Sequence, residues 1–214
     1  AVHPMMIESV TWISGGIYAQ AGFSILLSFY YYLRYKTQAQ SKYLAYSFVA
    51  FILGLCVSEK VIIFPFIIAL YEYLFGSIKT NWKQIGAYFT TSFIWGLIIL
   101  GRISERVEYL QTSQGTETAN RFISPLIQIP IALGSYIKLF AWPQALTLYQ
   151  SELTFTTLAY AILLSLSVLF VTSLVISYRK NKQVFFWLSF FIITLLPTLN
   201  PFGLSWIVAE RYSY

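Results

Sequence analysis

The chain has 214 residues, of which 57% are hydrophobic, 19% aromatic and only 10% charged, and its net charge is +6. A soluble domain carries about 25% charged residues, so this composition excludes a soluble enzyme, a disordered tail, a nucleic-acid module and a disulfide scaffold. The single cysteine, Cys56, has no partner for an internal bridge. The sequence contains no Asp and no initiating Met, and we expect an internal fragment of a larger membrane protein.

Six apolar runs are the candidate membrane helices, since a hydrocarbon core of about 30 Å needs roughly 20 apolar residues in a helix. In chain order the runs are 18–35, 43–57, 61–75, 85–101, 155–178 and 184–200. Only Ser58-Glu59-Lys60 divide the second run from the third, which predicts a helical hairpin with its tip near one interface. The predicted fold class is therefore an all-α polytopic transmembrane bundle with about six full spans in a single domain.

The basic residues predict the orientation, because Lys and Arg concentrate in cytoplasmic loops. Three connections between the runs hold eight of the 14 basic residues and no acid: Arg34, Lys36, Lys42, Lys79, Lys83, Arg179, Lys180 and Lys182. With these connections in the cytoplasm, seven of the eight Glu residues lie in outer segments. The exception, Glu72, lies near the cytoplasmic end of its run and is interpreted as structural or as the packing partner of an Arg outside this sequence.

The segment 102–154 then begins and ends on the outer side. Residues 102–121 are expected to form the longest polar loop. The apolar stretch 122–142, which contains Pro125, Pro130, Gly134 and Lys138, is expected to lie along the interface or to dip in and return. An ordinary span, with a compensating error elsewhere, is the alternative.

In this orientation four polar clusters share the outer face, which predicts a catalytic or binding surface there. They contain His3 and Glu8, Glu59 and Lys60, the loop that begins with Arg102, and Glu210 with Arg211 and Tyr212.

Three of these clusters also have a simpler interpretation. His3 and Glu8 could form a structural hydrogen bond instead of an acid–base pair or metal site. Glu59 and Lys60 suit a solvated turn. Arg211 could pair with Glu210 at the surface or bind a phosphate through its two-pronged guanidinium.

Three segments resemble one family. His3-Pro4-Met5-Met6-Ile7-Glu8-Ser9-Val10-Thr11-Trp12-Ile13-Ser14 resembles the motif before a membrane helix in the transmembrane and tetratricopeptide-repeat O-mannosyltransferases. Ala209-Glu210-Arg211-Tyr212-Ser213-Tyr214 is similar to the family's Glu-Arg-Tyr-x-Tyr segment, and residues 143–149 are similar to its Pro-x-x-Leu-x-x-Tyr stretch. The resemblance implies a GT-C type glycosyltransferase in a bacterial inner membrane, or in the endoplasmic reticulum of a eukaryote.

Such an enzyme moves a sugar from a polyprenyl-phosphate carrier to an acceptor, a protein or a glycan, on the outer face, and nucleic acid is not a partner. We predict His3 and Glu8 as catalytic residues, polar groups near the acceptor or an ion. The residues predicted to contact the carrier phosphate are Arg211, Tyr212, Arg102 and Lys60. The other predicted outer-face residues are Glu59, Trp12, Tyr149 and Glu210.

The sequence also departs from the family. The family's acidic pair in the first outer loop contains Asp, which this chain lacks, so we expect the catalytic base upstream of Ala1 and the repeats downstream of Tyr214. No cofactor is assigned. A divalent metal is possible at His3 and Glu8, although two ligands are fewer than a closed site needs. The alternative function is a non-catalytic transporter or membrane scaffold.

Overall fold

The computed structural model describes residues 15–113, 125–143 and 156–199, with side chains at 15–101, 129–143 and 156–199. All regular elements in these ranges are helical. The helices are α1 (Gly16–Gln38), α2 (Ser41–Val57), a 3₁₀ helix (Glu59–Ile63), α3 (Phe64–Phe75), α4 (Ile78–Ser113), α5 (Pro125–Ala141), α6 (Thr157–Lys180), α7 (Lys182–Leu195) and a final 3₁₀ turn (Leu196–Thr198). The chain divides into two compact units, Ser9–Ile103 and Ser104–Tyr214 with Ala1–Glu8.

In the first unit, small residues allow α1 and α2 to pack closely and antiparallel. A Cβ on Gly54 would lie 2.8 Å from the Cβ of Ser24, so only glycine fits at this crossing. Nearby, Ser28 Oγ donates to the Ser47 carbonyl and Ser47 Oγ donates to the Ser28 carbonyl, both at 2.7 Å. These reciprocal bonds satisfy two buried hydroxyls and fix the register of the two helices.

Tyr88 of α4 contacts two other helices of the first unit, α2 and α3. Its ring contacts Phe48 and Phe51 of α2 and Phe64 of α3 at centroid distances of 5.2 to 5.5 Å. Its hydroxyl donates to Ser47 Oγ at 2.7 Å, which extends the serine pair between α1 and α2 to α4. The centre of this unit is therefore aromatic, with a buried line of hydroxyl groups.

The predicted hairpin between the second and third runs is present. Ser58 leaves the helical conformation (φ −154°, ψ 136°), and its side chain accepts a hydrogen bond from the Lys60 N–H. The chain then turns through the 3₁₀ helix into α3, which has Pro65 in its first turn, where a proline costs no hydrogen bond.

The second unit contains α5, α6 and α7, also packed as antiparallel neighbours. A Cβ on Gly134 of α5 would lie 2.2 Å from the carbonyl oxygen of Leu163 in α6, and Ser167 Oγ of α6 donates to the carbonyl of Pro130. The core lies between α5 and the end of α7. It consists of Ala132, Leu133, Tyr136, Leu139, Leu195 and Leu199.

The turn between α6 and α7 carries a helix cap. Asn181 Oδ1 accepts hydrogen bonds from the backbone N–H groups of Gln183 and Val184 at 2.9 and 3.2 Å, as a side chain does at a helix N-terminus. The rings of Tyr178 and Phe185 pack across this turn at 5.0 Å. The predicted break between the last two runs is thus confirmed as a tight turn.

The predicted apolar runs lie in helices over their described parts, but the six full spans are not established by length and composition. Two helical stretches are long and apolar enough to cross a membrane, Ile78–Gly101 and Thr157–Lys180. Shorter apolar helices cover Ser41–Val57, Ile129–Ala141 and Lys182–Thr198.

The predicted polar loop 102–121 is wrong over its first part, since α4 continues to Ser113. Residues 102–113 contain Glu, Arg, Leu and Gln and no Gly or Pro, and these residue types favour helix without requiring an apolar environment.

The stretch 122–142 is helical from Pro125 despite Pro130. The helix packs along α6 through contacts at Pro130 and Gly134. Its placement along the interface, dipping into the membrane or spanning it, stays a prediction.

The described surface is more apolar than that of a water-soluble bundle, and polar side chains lie among the buried apolar ones. The buried polar side chains of the described residues are Ser28, Ser47, Ser58, Glu72, Asn81, Ser92, Ser135, Ser167, Ser177, Ser189 and Thr198. Large apolar side chains at least 60% exposed include Phe23, Leu53, Phe93, Leu100, Leu158, Leu169 and Val175. On α6 the buried positions are Leu163, Ser167 and Ser177, while leucines and valines face outward.

Candidate functional site

The hairpin tip holds the two predicted outer-face residues whose side chains the structure describes. Glu59 is exposed, as expected of a solvated turn. Lys60 instead folds back onto the bundle, with its Nζ 4.2 Å from the ring centroid of Tyr18 at the start of α1. An ammonium over an aromatic face is a cation–π contact, so the Lys60 charge is held at the α1 end of the tip.

The other predicted site residues cannot be placed relative to Lys60. Arg102 lies within α4, but its side chain is outside the described part of the chain. The remaining candidates, which lie outside the described residues altogether, are His3, Glu8, Trp12, Tyr149, Glu210, Arg211 and Tyr212. The predicted phosphate site and catalytic pair therefore stay predictions.

The most developed polar site in the described residues is centred on Glu72, which is fully buried in the last turn of α3. Its Oε1 accepts a hydrogen bond from Tyr32 Oη at 2.8 Å and lies 3.1 Å from Lys36 Nζ. Its Oε2 accepts from Asn81 Nδ2 at 2.8 Å, from the Ser77 N–H at 3.0 Å and from Lys36 Nζ at 3.3 Å. The lysine thus bridges both carboxylate oxygens.

Local sequence features bring these donors together. Tyr32 and Lys36 are four residues apart on α1 and so lie on the same face. At the end of α3, a Cβ on Gly76 would lie 2.0 Å from Glu72 Oε2, so a side chain there would displace the carboxylate. Asn81 departs from helical geometry (φ −106°, ψ 16°) at the start of α4.

The protein's own donors occupy both oxygens of this carboxylate, so the carboxylate is not exposed to a ligand. Donors from α1, α4 and the α3–α4 connection point at both oxygens. Glu72 therefore ties α1, α3 and the start of α4 together at one end of the unit.

Of the two interpretations of Glu72, the contacts agree with the structural one, and the cation at this site is Lys36 rather than an Arg. The two residues are 36 positions apart, and nothing in the local sequence links them. The signal that could have found the site is the single acid in an apolar run, together with a Tyr and a Lys one helical turn apart on a neighbouring span.

Within the ranges that the structure describes, no group of three or more His, Cys, Asp or Glu side chains is placed to hold a metal ion. His3 and Glu8, the candidate ligands, lie outside those ranges.

Comparison of the chain with protein-family models, with curated proteins and with solved structures gives no match. The resemblance of the three sequence segments to a glycosyltransferase family accordingly stays a prediction from those segments.

Proposed function

We propose that the chain is an integral membrane protein whose helices pack against one another through small and hydroxylic residues and expose their apolar side chains to lipid. The apolar surface carries this proposal. In water, burial of apolar surface drives folding, which would not leave so many large apolar side chains exposed. In a bilayer no such drive exists between helices, and small residues and interhelical hydrogen bonds hold the bundle together.

The distribution of charge supports the proposed orientation of the first unit. Lys36 at the end of α1 and Asn81 at the start of α4 both contact the Glu72 carboxylate. The α1–α2 and α3–α4 connections therefore lie at the same end of the first unit. That end carries Arg34, Lys36, Lys42, Lys79 and Lys83. Lys60 lies at the hairpin tip, where α2 turns into α3. Under the positive-inside rule the first end is cytoplasmic.

Cysteine labelling tests this topology. In a Cys56→Ser background, we introduce Glu59→Cys at the hairpin tip or Gln40→Cys in the α1–α2 connection, both exposed positions. A membrane-impermeant maleimide should label position 59 in intact spheroplasts and position 40 only after permeabilisation. The reverse pattern would overturn the orientation, and recovery of the protein in the soluble fraction would overturn the membrane assignment.

For activity, we propose that the full-length protein transfers a sugar from a polyprenyl-phosphate carrier to an acceptor on the outer face of a bacterial inner membrane. The motif segments around His3, Tyr149 and Arg211 are the observation that carries this proposal. The fold supports it through Lys60, a cation fixed at the end opposite the lysine-rich connections. A carrier phosphate at the outer surface requires such charges.

Substitution of the proposed phosphate ligand tests the activity. Arg211→Ala should lower transfer from a radiolabelled polyprenyl-phosphate sugar about 100-fold, since two hydrogen bonds to a charged group contribute roughly 3 kcal/mol or more. The matched control, Arg179→Ala in the α6–α7 turn, removes a cytoplasmic arginine and should leave transfer unchanged.

Both variants must match the wild type in membrane abundance. Normal transfer by Arg211→Ala would refute the phosphate assignment. No transfer by the wild-type protein, with outer polar residues replaceable one at a time, would favour a transporter or scaffold instead.

A further inference from the structure

A groove runs between α1 and α2 on the surface of the first unit. It has a volume of about 240 Å³ and is lined by Leu27, Tyr31, Tyr46, Val49, Ala50 and Leu53. Tyr31 and Tyr46 lie at the end of the groove nearest the α1–α2 connection, and the remaining lining residues are aliphatic. Val49 and Leu53 are more than half exposed, so the groove is open along its length.

Two cations lie one helical turn beyond the tyrosines on the same faces. Arg34 follows Tyr31 by three residues on α1, and Lys42 precedes Tyr46 by four on α2; these spacings place each cation in line with the groove. Both side chains are exposed. Neither α1 nor α2 contains an acidic residue, so the mouth of the groove is strongly positive.

Aromatic contacts hold both cations in place. Arg34 Nε donates to Tyr30 Oη at 2.9 Å, and its guanidinium lies 5.3 Å from that ring. Lys42 Nζ lies 5.1 Å from the ring of Tyr43, which itself stacks on Tyr31. A guanidinium has five N–H donors, and within the described residues the structure gives a hydrogen-bond acceptor to one of them, Nε.

The reach from the cations to the far end of the groove indicates the occupant. From Lys42, beyond the groove, to Leu53 at its far end is 11 residues, or about 16 Å along a helix. Half of a hydrocarbon core of about 30 Å is about 15 Å, which is the depth of one leaflet. The cations and the groove together therefore extend from the headgroup level, where Tyr rings and cations belong, to the middle of the bilayer.

We infer that this groove binds one anionic phospholipid of the cytoplasmic leaflet. An acyl chain lies between α1 and α2 against Leu27, Val49 and Leu53, and the headgroup phosphate contacts Arg34 and Lys42. The inference rests on the proposed membrane insertion and orientation, but not on the sugar-transfer activity. The site is also separate from the outer-face carrier site around Lys60, because it lies at the opposite end of α2.

Native mass spectrometry of the full-length protein in detergent tests the inference. Phosphatidylglycerol and phosphatidylcholine with identical acyl chains are titrated, and bound lipids are counted. We expect one phosphatidylglycerol to bind more tightly than any phosphatidylcholine. A cation near an anionic lipid surface strengthens binding roughly fivefold, so Arg34→Gln with Lys42→Gln should weaken this binding about 25-fold. Equal binding of the two lipids by the wild type would overturn the inference.

Matched variants separate the site from general charge and from misfolding. Arg179→Gln with Lys180→Gln removes the same charge from the α6–α7 turn and should retain the tight lipid. Arg34→Lys with Lys42→Arg keeps the charge and should also retain it. Loss of the lipid in either control would mean that no local site exists.

The groove itself is tested by Leu53→Trp, which fills it from an exposed position. Leu26→Trp on α1, at a residue of similar exposure that does not line the groove, is its control. Only the first should release the lipid. Displacement of the lipid by soluble glycerol phosphate would show that the cations bind phosphate alone, and would overturn the role of the groove. Protein that is soluble without detergent would instead refute membrane insertion.

Discussion

Replacement of Glu72 by Ala removes the carboxylate on which α1, α3 and the start of α4 converge. The variant removes the carboxylate acceptor of Tyr32 Oη and the Ser77 N–H, and it leaves Asn81 Nδ2 with the Ser77 carbonyl alone. It also leaves the ammonium of Lys36 without its counter-ion. The glutamate side chain is 0% exposed, so the loss is greatest for the buried Tyr32 hydroxyl.

The expected loss of stability follows from burial. Removing one partner of a buried ion pair costs about 3–5 kcal/mol. We expect about 3 kcal/mol, the lower end, because the Lys36 side chain is 24% exposed and can turn towards the interface. Glu72→Gln keeps one acceptor oxygen and loses the charge, and should cost about 1–2 kcal/mol.

Unfolding by SDS in mixed micelles, followed by far-UV circular dichroism, gives the free energy of unfolding for each variant. Glu59→Gln at the exposed hairpin tip removes the same charge without a buried contact, and should stay within about 0.5 kcal/mol of wild type. If Glu72→Ala shifts the unfolding free energy no more than Glu59→Gln does, the network does not stabilise the bundle. A double-mutant cycle with Lys36→Met should show coupling of about 1–3 kcal/mol.

Two further perturbations address the other helix contacts. Gly134→Ala sets a Cβ against the Leu163 carbonyl and should lower the free energy of unfolding by about 1–3 kcal/mol; Gly86→Ala, which meets open space in α4, should raise it by about 0.5–1 kcal/mol. The same micelle titration checks both, and equal effects would refute the close approach of α5 and α6. Tyr88→Phe keeps the ring contacts and removes the hydrogen bond to Ser47, at an expected cost of about 1 kcal/mol. Phe51→Leu should cost more through lost packing, and the reverse order would show that the hydroxyl, not the ring, organises the centre of the unit.

The apolar runs indicate where helices form, because helix length and hydropathy are local properties of the chain. The break at Ser58-Glu59-Lys60 and the turn at Asn181 follow from short polar segments between such runs. The prediction of a loop at residues 102–113 is wrong for a related reason. Polarity excludes them from lipid, but their Glu, Arg and Leu residues favour helix in water as well, so the boundary of an apolar run is not the boundary of a helix.

The Glu72 site could be predicted only in part. Its position near the end of a run indicated a structural acid, whereas the identity of its cation depends on how α1 packs against α3, which no local pattern contains. The groove between α1 and α2 also depends on tertiary packing. Tyr31 and Tyr46 lie beside each other only because the close contact at Gly54 and the serine pair bring their helices together.

The shortness of α3 has a consequence for how the protein is made. Twelve residues of α-helix extend about 18 Å, less than the hydrocarbon core, and an acid within a membrane segment further opposes its insertion. Tyr32 and Lys36 precede Glu72 in the sequence, so under the proposed membrane insertion both partners are synthesised before α3. We therefore expect α3 to enter the bilayer as the second arm of a hairpin with α2, guided by α1, rather than as an autonomous segment. We therefore expect the order of the helices along the chain to be the order in which they pack together.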